Sequence, residues 1–151
     1  AVTTEQYALN QRRAREILQA ILAAMKRPKC WLNVIFVSDQ SMIAHNKRVF
    51  GKNRSTDVIS FPWRTPFAVS KRGYFLGDVL ISLDRAYYRA PDFKRSFNAE
   101  LVTYMIHGVL HLIGYDDVTA AKKKAMFAEQ DKVFQRLEQK GFLRKAVAKR
   151  N

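Results

Sequence analysis

The stretch from Met105 to Asp117 constrains the fold of this chain more than any other part of the sequence. It is an apolar run of helical character that contains His107 and His111, two of the three histidines in the chain. Residues four positions apart lie one turn apart on one face of an α-helix, so both imidazoles project to the same side. That spacing suits two ligands of one metal ion. The alternative is a pair of hydrogen-bonded histidines in the core.

A glycine and two carboxylates follow the histidine pair directly. Gly114 offers the left-handed conformation that commonly ends helices. Four extended residues span about 13 Å, and the level midway between the two histidines lies roughly 6 Å back from the end of the helix. A sharp turn at Gly114 therefore brings Asp117, or less easily Asp116, beside the rings. We expect His107, His111 and Asp117 to offer two nitrogens and one oxygen to a metal, with a fourth position open.

The charge balance indicates a polyanionic partner. The chain has 27 Lys and Arg against 13 Asp and Glu, a net charge of +14, which exceeds the magnitude of about 2–8 that suits a small soluble domain. Such a surface attracts nucleic acid or, as the competing interpretation, an anionic membrane surface. Residues 46–54 form a basic loop with no evident role in a core, and we expect its Lys47, Arg48, Lys52 and Arg54 to contact RNA.

Length, hydropathy and cysteine content favour one domain over residues 1–151. The sequence is 48% hydrophobic, which is typical of a globular protein. No apolar run reaches the roughly 18 residues of a membrane span, and the first residues are polar, without the apolar core of a signal peptide. The single Cys30 excludes a disulfide within this sequence. We therefore expect a cytoplasmic protein with no membrane partner.

Hydrophobic periodicity and turn residues predict alternating helices and strands. We expect Ser96 or Asn98 to cap the helix that carries the histidines, Thr119 to cap the last helix, and Glu100 to lie at the surface. The predicted helices cover residues 4–26, 40–49, 83–90, the histidine segment to about 113, and 120–139; the predicted strands cover 31–37, 56–62 and 74–82; residues 63–73 are a loop and 143–151 a frayed basic tail.

Three segments resemble the patterns of the YbeY family, the bacterial rRNA-maturation endoribonucleases. They are residues 107–116 (HGVLHLIGYD), residues 56–62 (TDVISFP) together with Asn46, and residues 77–82 (GDVLIS). The resemblance implies an α+β fold, in which a small mixed sheet of about four strands packs with helices and the central helix carries the HxxxH motif. It also implies that the strand 74–82, which contains the last of these segments, lines the cleft beside the metal, and we expect its free edge to align the substrate.

The resemblance further implies one zinc ion and an endoribonuclease specific for single strands, which acts in 16S rRNA 3′-end maturation and in ribosome quality control. The partners implied are RNA, the ribosome or its 30S subunit, and ribosome-associated proteins. Two positions depart from the family pattern: Asp117 stands where the family has a third His ligand, and Phe50 stands where it has an Arg of the cleft. Because a carboxylate oxygen is an ordinary zinc ligand, we expect a retained site with a less acidic metal. Arg48 or Arg54 can replace the missing cation.

A metal held by His107, His111 and Asp117 can polarise a phosphoryl oxygen and lower the pKa of a bound water. Either that water or an RNA 2′-hydroxyl then attacks the phosphorus. Asp116 is a further catalytic candidate, because it adjoins the ligands. The motif of HExxH metalloproteases is absent, since Gly108 stands where their Glu acts as general base.

Several alternatives stay open at the level of sequence. The general base can be Asp116, Asp78 or Asp57, and each carboxylate can equally be a capping group. His45 is an alternative third ligand, or simply a loop histidine. The alternative function is a non-catalytic RNA-binding factor of ribosome assembly whose metal is structural.

Overall fold

The computed structural model describes residues 5–63, 69–70 and 73–151, and this part of the chain contains six strands and five α-helices. The predicted α+β fold is confirmed. The elements are β1 (Tyr7–Leu9), α1 (Gln11–Ala24), β2 (Cys30–Val37), α2 (Asp39–Phe50), β3 (Val58–Pro62), β4 (Val69–Ser70), β5 (Gly73–Ser82), α3 (Leu83–Arg89), a 3-10 turn (Ala90–Phe93), α4 (Phe97–Leu112), α5 (Ala120–Gln139) and β6 (Val147–Lys149).

The main sheet is mixed and has four strands, with β5 at its centre. β2 runs parallel to β5, and β3 and β4 run antiparallel to it. Val79 of β5 faces Val34 of β2 on one side and Ser60 of β3 on the other. The expectation that the strand 74–82 has a free edge is therefore wrong, because both edges of β5 are hydrogen-bonded. In the order β2-β5-β3, the described strands β2 and β3 lie on either side of β5, at the edges of the sheet.

The central helix, α4, is apolar on nearly every side, which is typical of a helix enclosed by other elements. It packs on β3 and β5 and against α3 and α5. The Ser96 hydroxyl accepts a hydrogen bond from the Ala99 amide at 3.1 Å, so Ser96 and not Asn98 caps this helix. The helix ends at Leu112, and Gly114 then adopts a positive φ of 106°, as the sequence predicts.

A close approach between α4 and the sheet sets the position of the histidine-bearing turns. A Cβ atom at Gly108 would lie 2.5 Å from Cγ1 of Val79 and 3.2 Å from Cγ1 of Val58. The Ser60 hydroxyl donates a hydrogen bond to the Gly108 carbonyl at 3.0 Å. The residue at position 108 must therefore be small. This is a structural reason why Gly, and not Glu, follows His107.

The two ends of the described chain pair with each other in a second sheet, which the sequence did not predict. β1 runs antiparallel to β6. Residues 7–9, which the sequence predicts as part of a helix over 4–26, are therefore a strand, and Asn10 caps α1. The predicted frayed tail is wrong, because Ala146 and Val147 are buried. The Asn98 side chain accepts hydrogen bonds from both of their amides, at 2.8 and 3.0 Å.

The remaining boundaries agree closely with the sequence. α2, α3 and α5 lie where periodicity predicted helices, and the Thr119 hydroxyl caps α5 by accepting from the Lys122 amide at 3.2 Å. The predicted loop 63–73 contains β4, while its basic residues Arg64, Lys71 and Arg72 lie outside the described residues. Among the described helices, none has the length and apolar character that crossing a bilayer requires.

We expect Gly108→Ala to destabilise the protein, because the new methyl group overlaps Val79. Overpacking of this kind costs about 1–3 kcal/mol of unfolding free energy, more than the roughly 1 kcal/mol that Ala gains over Gly in helix propensity. Urea unfolding measures the change. The control is the same substitution in a Val79→Ala background, where the space is restored and the penalty should be smaller. An equal penalty in both backgrounds would show that the close approach is not its cause.

Candidate metal centre

Three side chains converge where α4 ends and the following turn begins. The ligand atoms of His107, His111 and Asp117 all lie within 4.8 Å of one another. The Nε2 atoms of the two histidines are 3.1 Å apart, and their rings are inclined at 79°. Two nitrogens bound to one tetrahedral ion at about 2.0–2.1 Å would be separated by about 3.3 Å. The observed spacing therefore suits two ligands of a single metal.

The outer nitrogens of both rings are engaged by acceptors. Nδ1 of His107 lies 2.8 Å from Oε1 of Gln130, and Nδ1 of His111 lies 3.1 Å from the Tyr115 carbonyl oxygen. An acceptor at Nδ1 places the ring hydrogen there and leaves Nε2 as the lone-pair nitrogen. Two lone pairs that face each other at 3.1 Å repel, and a cation between them removes the repulsion. The donor set therefore fits a metal ion.

Burial favours the uncharged, metal-binding form of His107. Desolvation holds the pKa of His107 below its ordinary value; the hydrogen bond with Gln130 opposes this shift, and the neighbouring His111 adds to it. A histidine must be neutral to bind a metal, so protonation competes with the ion. A lowered pKa reduces that competition at neutral pH.

The turn at Gly114 brings the third side chain of the group, Asp117, back to the histidines. The Tyr115 amide donates to the Leu110 carbonyl at 3.0 Å, which reverses the chain directly after α4. The Asp116 carboxylate accepts from the Val118 amide at 3.1 Å and pairs with Lys122 at 3.4 Å. The Val118 amide holds the pKa of Asp116 below its usual range. The structure thus places Asp117 beside the rings, and Asp116 stabilises the turn.

His111 opens onto a cleft of about 670 Å³, which we call the basic cleft. Its lining includes Asn46, Phe50, Lys52, Arg54, Arg85 and His111. The Asn46 amide group is buried and donates to the Arg54 carbonyl at 2.8 Å, which fixes the loop after α2. Of the four residues expected to contact RNA, Lys52 and Arg54 line this cleft, whereas Lys47 and Arg48 do not.

Two residues of this region could not be identified from the sequence, Arg85 and Gln130. Arg85 on α3 lines the basic cleft and binds Asp57 through its Nε at 2.6 Å. Phe50, which the sequence analysis did single out, is 52% exposed and lies on the wall of the same cleft. Arg85 therefore supplies a cation to the cleft that lacks an Arg at position 50. Gln130 on α5 holds the His107 ring. The only signal for Gln130 was a polar residue within the buried stripe of α5.

Three other residues that the sequence analysis singled out are not part of the ligand group. His45 contacts the Arg48 guanidinium at 2.8 Å and is not part of the ligand group. Asp78 accepts a hydrogen bond from Asn33 at 3.0 Å, across the pairing of β5 with β2. The expectation that Glu100 lies at the surface is wrong: its side chain is 2% exposed and pairs with Arg95 at 3.2 Å.

We expect Asp117→Ala to weaken metal binding, because the third ligand atom is lost. The loss should exceed the roughly 10–100-fold that removal of an outer hydrogen-bond partner typically costs, measured by calorimetric titration with Zn²⁺ as the probe ion. Asp117→His restores a nitrogen donor and should retain binding. The matched control is Asp116→Ala, which removes the neighbouring carboxylate. Full affinity in Asp117→Ala would exclude Asp117 as a ligand.

Comparison with known proteins relates most of this chain to one family. The family described as Endoribonuclease YbeY matches residues 2–138. A relative described by the same words in Anaeromyxobacter sp. (strain Fw109-5) is 42% identical over 115 residues, which cover 76% of this chain and 58% of the relative. A second relative, in Anaeromyxobacter dehalogenans, is 41% identical, and the match covers 84% of this chain and 64% of the relative. The chain thus spans about three-fifths of the length of these two relatives.

A further relative and one solved structure complete the comparison. The Endoribonuclease YbeY of Lysinibacillus sphaericus is 38% identical, with 72% of this chain and 73% of the relative covered. The solution structure of TM1509 from Thermotoga maritima covers 95% of this chain and 94% of its own, with a TM-score of 0.61 and 22% identity, and it shares the fold. The family match extends over most of the sequence, and this chain belongs to the YbeY endoribonuclease family.

Proposed function

We propose that this chain is a zinc-dependent endoribonuclease that cuts single-stranded RNA, with the metal held by His107, His111 and Asp117. One observation carries the proposal: the two histidine Nε2 atoms converge to 3.1 Å beside the basic cleft. Two imidazole nitrogens and one carboxylate oxygen, with a fourth position open, are a donor set typical of catalytic zinc. The relatives named Endoribonuclease YbeY support RNA as the substrate.

The basic cleft accounts for the binding of a phosphodiester. Zinc, when bound, polarises a phosphoryl oxygen and acidifies water. Lys52 and Arg54 offset the charge of the phosphates that enter, and the salt bridge with Asp57 orients the guanidinium of Arg85 in the cleft wall. His111 faces the same cleft, so a phosphate that lies along the cations reaches the ligand group.

The candidate proton acceptors in the basic cleft are both held in ion pairs. Two carboxylates line the basic cleft, Asp57 and Asp116, and each is ion-paired, with Arg85 and with Lys122. The lowered pKa of Asp116 makes it a weak general base. We therefore give Asp116 only a minor catalytic role, and we assign His107, His111 and Asp117 their roles through the metal.

The biological setting is proposed from the family and from the charge. We place the activity in 16S rRNA 3′-end maturation and in ribosome quality control, in the cytoplasm. The partners would be the 30S subunit and ribosome-associated proteins. The net charge of +14 supports binding to a large polyanion such as rRNA.

A second candidate is an RNA-binding factor of ribosome assembly whose metal is structural. Phe50 favours it, because an aromatic ring at the cleft wall cannot form the two parallel hydrogen bonds that an Arg makes with phosphate. The engagement of Asp57 and Asp116 in ion pairs favours it as well.

We expect the zinc-loaded protein to cut single-stranded RNA and His111→Ala to reduce the rate by at least about 100-fold, since a catalytic ligand is removed. Gel analysis of an end-labelled oligonucleotide measures the rate, and the same strand in a duplex should resist cleavage. His45→Ala is the matched control, because it removes a histidine outside the ligand group. Binding of RNA with equal, background-level cleavage in all three proteins would support the assembly factor instead.

We expect Lys52→Gln to weaken binding of single-stranded RNA more than Lys47→Gln, although both remove one positive charge. Lys52 lines the basic cleft and Lys47 does not. Loss of one phosphate contact should also reduce the slope of log K against log salt concentration by about 0.7. Fluorescence anisotropy over a salt series measures both quantities. Equal losses in the two variants would indicate diffuse attraction by net charge and not a defined path.

A further inference from the structure

A second cavity, of about 460 Å³, adjoins the ligand group on the side of His107 and Asp117. We call it the acidic pocket. Residues 56–58 line both this pocket and the basic cleft, so the two cavities meet at the metal centre. The volume falls within the range of small-ligand sites, about 300–1,000 Å³. RNA bound in the basic cleft therefore has a second cavity directly beside the ligand group.

The two cavities differ in the sign of their charge. The charged side chains of the basic cleft are Lys52, Arg54 and Arg85 against Asp57 and Asp116. Those of the acidic pocket are Arg95 against Asp57, Glu100, Asp117 and Asp131. With Asp117 assigned to the metal, Asp57, Glu100 and Asp131 remain against the single Arg of the pocket, and Glu100 is paired with that Arg. The phosphate backbone therefore favours the first cavity over the second.

Aromatic surface gives the acidic pocket the character of a nucleobase site. Phe127 is 37% exposed and Phe93 is 51% exposed, and both line the pocket. Exposed aromatic faces stack unpaired bases.

The hydrogen-bonding groups favour one class of base. Carboxylates accept only, so they require a base edge that presents N–H groups. Guanine presents two adjacent donors on one edge, the ring N–H and the exocyclic amino group. Uracil presents two carbonyl oxygens and one N–H, so the carboxylates oppose most of its edge.

From these observations we propose that the acidic pocket binds an unstacked base of the RNA next to the phosphate at the metal centre and prefers guanine over uracil. This inference rests on the proposed function for its substrate class. Phe127 stacks on the base, and Asp131, exposed on α5, accepts from the base edge. The phosphates remain in the basic cleft, and the pocket determines which nucleotide lies beside the ligand group.

The test compares two uncleavable probes, a 2′-O-methyl oligouridine and the same oligonucleotide with one central guanosine, bound to the zinc-loaded protein. Anisotropy should show about tenfold tighter binding of the guanosine probe, as expected for one well-paired base. Phe127→Ala should weaken the binding of that probe by at least about fivefold. Asp131→Ala should abolish the preference while binding of oligouridine stays the same or rises. Tyr88→Ala, at an exposed aromatic residue outside both cavities, is the control.

The outcomes separate this inference from the proposed function. Equal affinity for both probes would overturn the pocket, whether or not the protein cuts RNA. A guanosine preference that both pocket variants lose, together with no cleavage of the unmodified RNA, would support the pocket and contradict the nuclease. Zinc titration of Phe127→Ala checks that His107, whose ring lies 6.1 Å away, still binds metal. If Phe127→Ala does not fold, Asp131→Ala at its exposed helical position decides the question.

Discussion

The close contact between α4 and the sheet at Gly108 is the constraint on which the site depends. With no Cβ at this position, the helix lies against Val79 and its carbonyl accepts from Ser60. This contact fixes the height and rotation of α4 over β3 and β5. His107 lies one residue before Gly108, and His111 lies about one turn after it. The contact at Gly108 therefore also sets the position of both histidines. The ligand group is thus placed by backbone packing before any metal binds.

The local parts of this architecture could be predicted from the sequence. The boundaries of α5 and the end of α4 follow from periodicity and from Gly114, and both depend on neighbours within a few residues. The approach of Asp117 to the histidines is equally local, because a single turn separates them. Sequence spacing therefore predicted that His107, His111 and Asp117 lie together, although it could not choose the cap of α4 between Ser96 and Asn98.

The parts that the sequence could not supply all depend on distant segments. Gln130 reaches His107 across 23 positions, and Arg85 reaches Asp57 across 28. The central place of β5 depends on pairing with three other strands, and the composition of a strand does not show which strand it pairs with. The same holds for Glu100, whose burial depends on Arg95 and on the elements packed around α4. Periodicity reports which face is apolar, but not what covers it.

The pairing of β1 with β6 has a consequence for the order of folding. Residues 7–9 leave the ribosome long before residues 147–149, so β1 has no partner during most of synthesis. Asn98, in the first turn of α4, likewise cannot accept its hydrogen bonds from the amides of Ala146 and Val147 until those residues have been synthesised. Such non-local contacts slow folding because the loop between the partners must close first. The helix that carries the histidines therefore acquires its final anchoring only when nearly all of this sequence has been made.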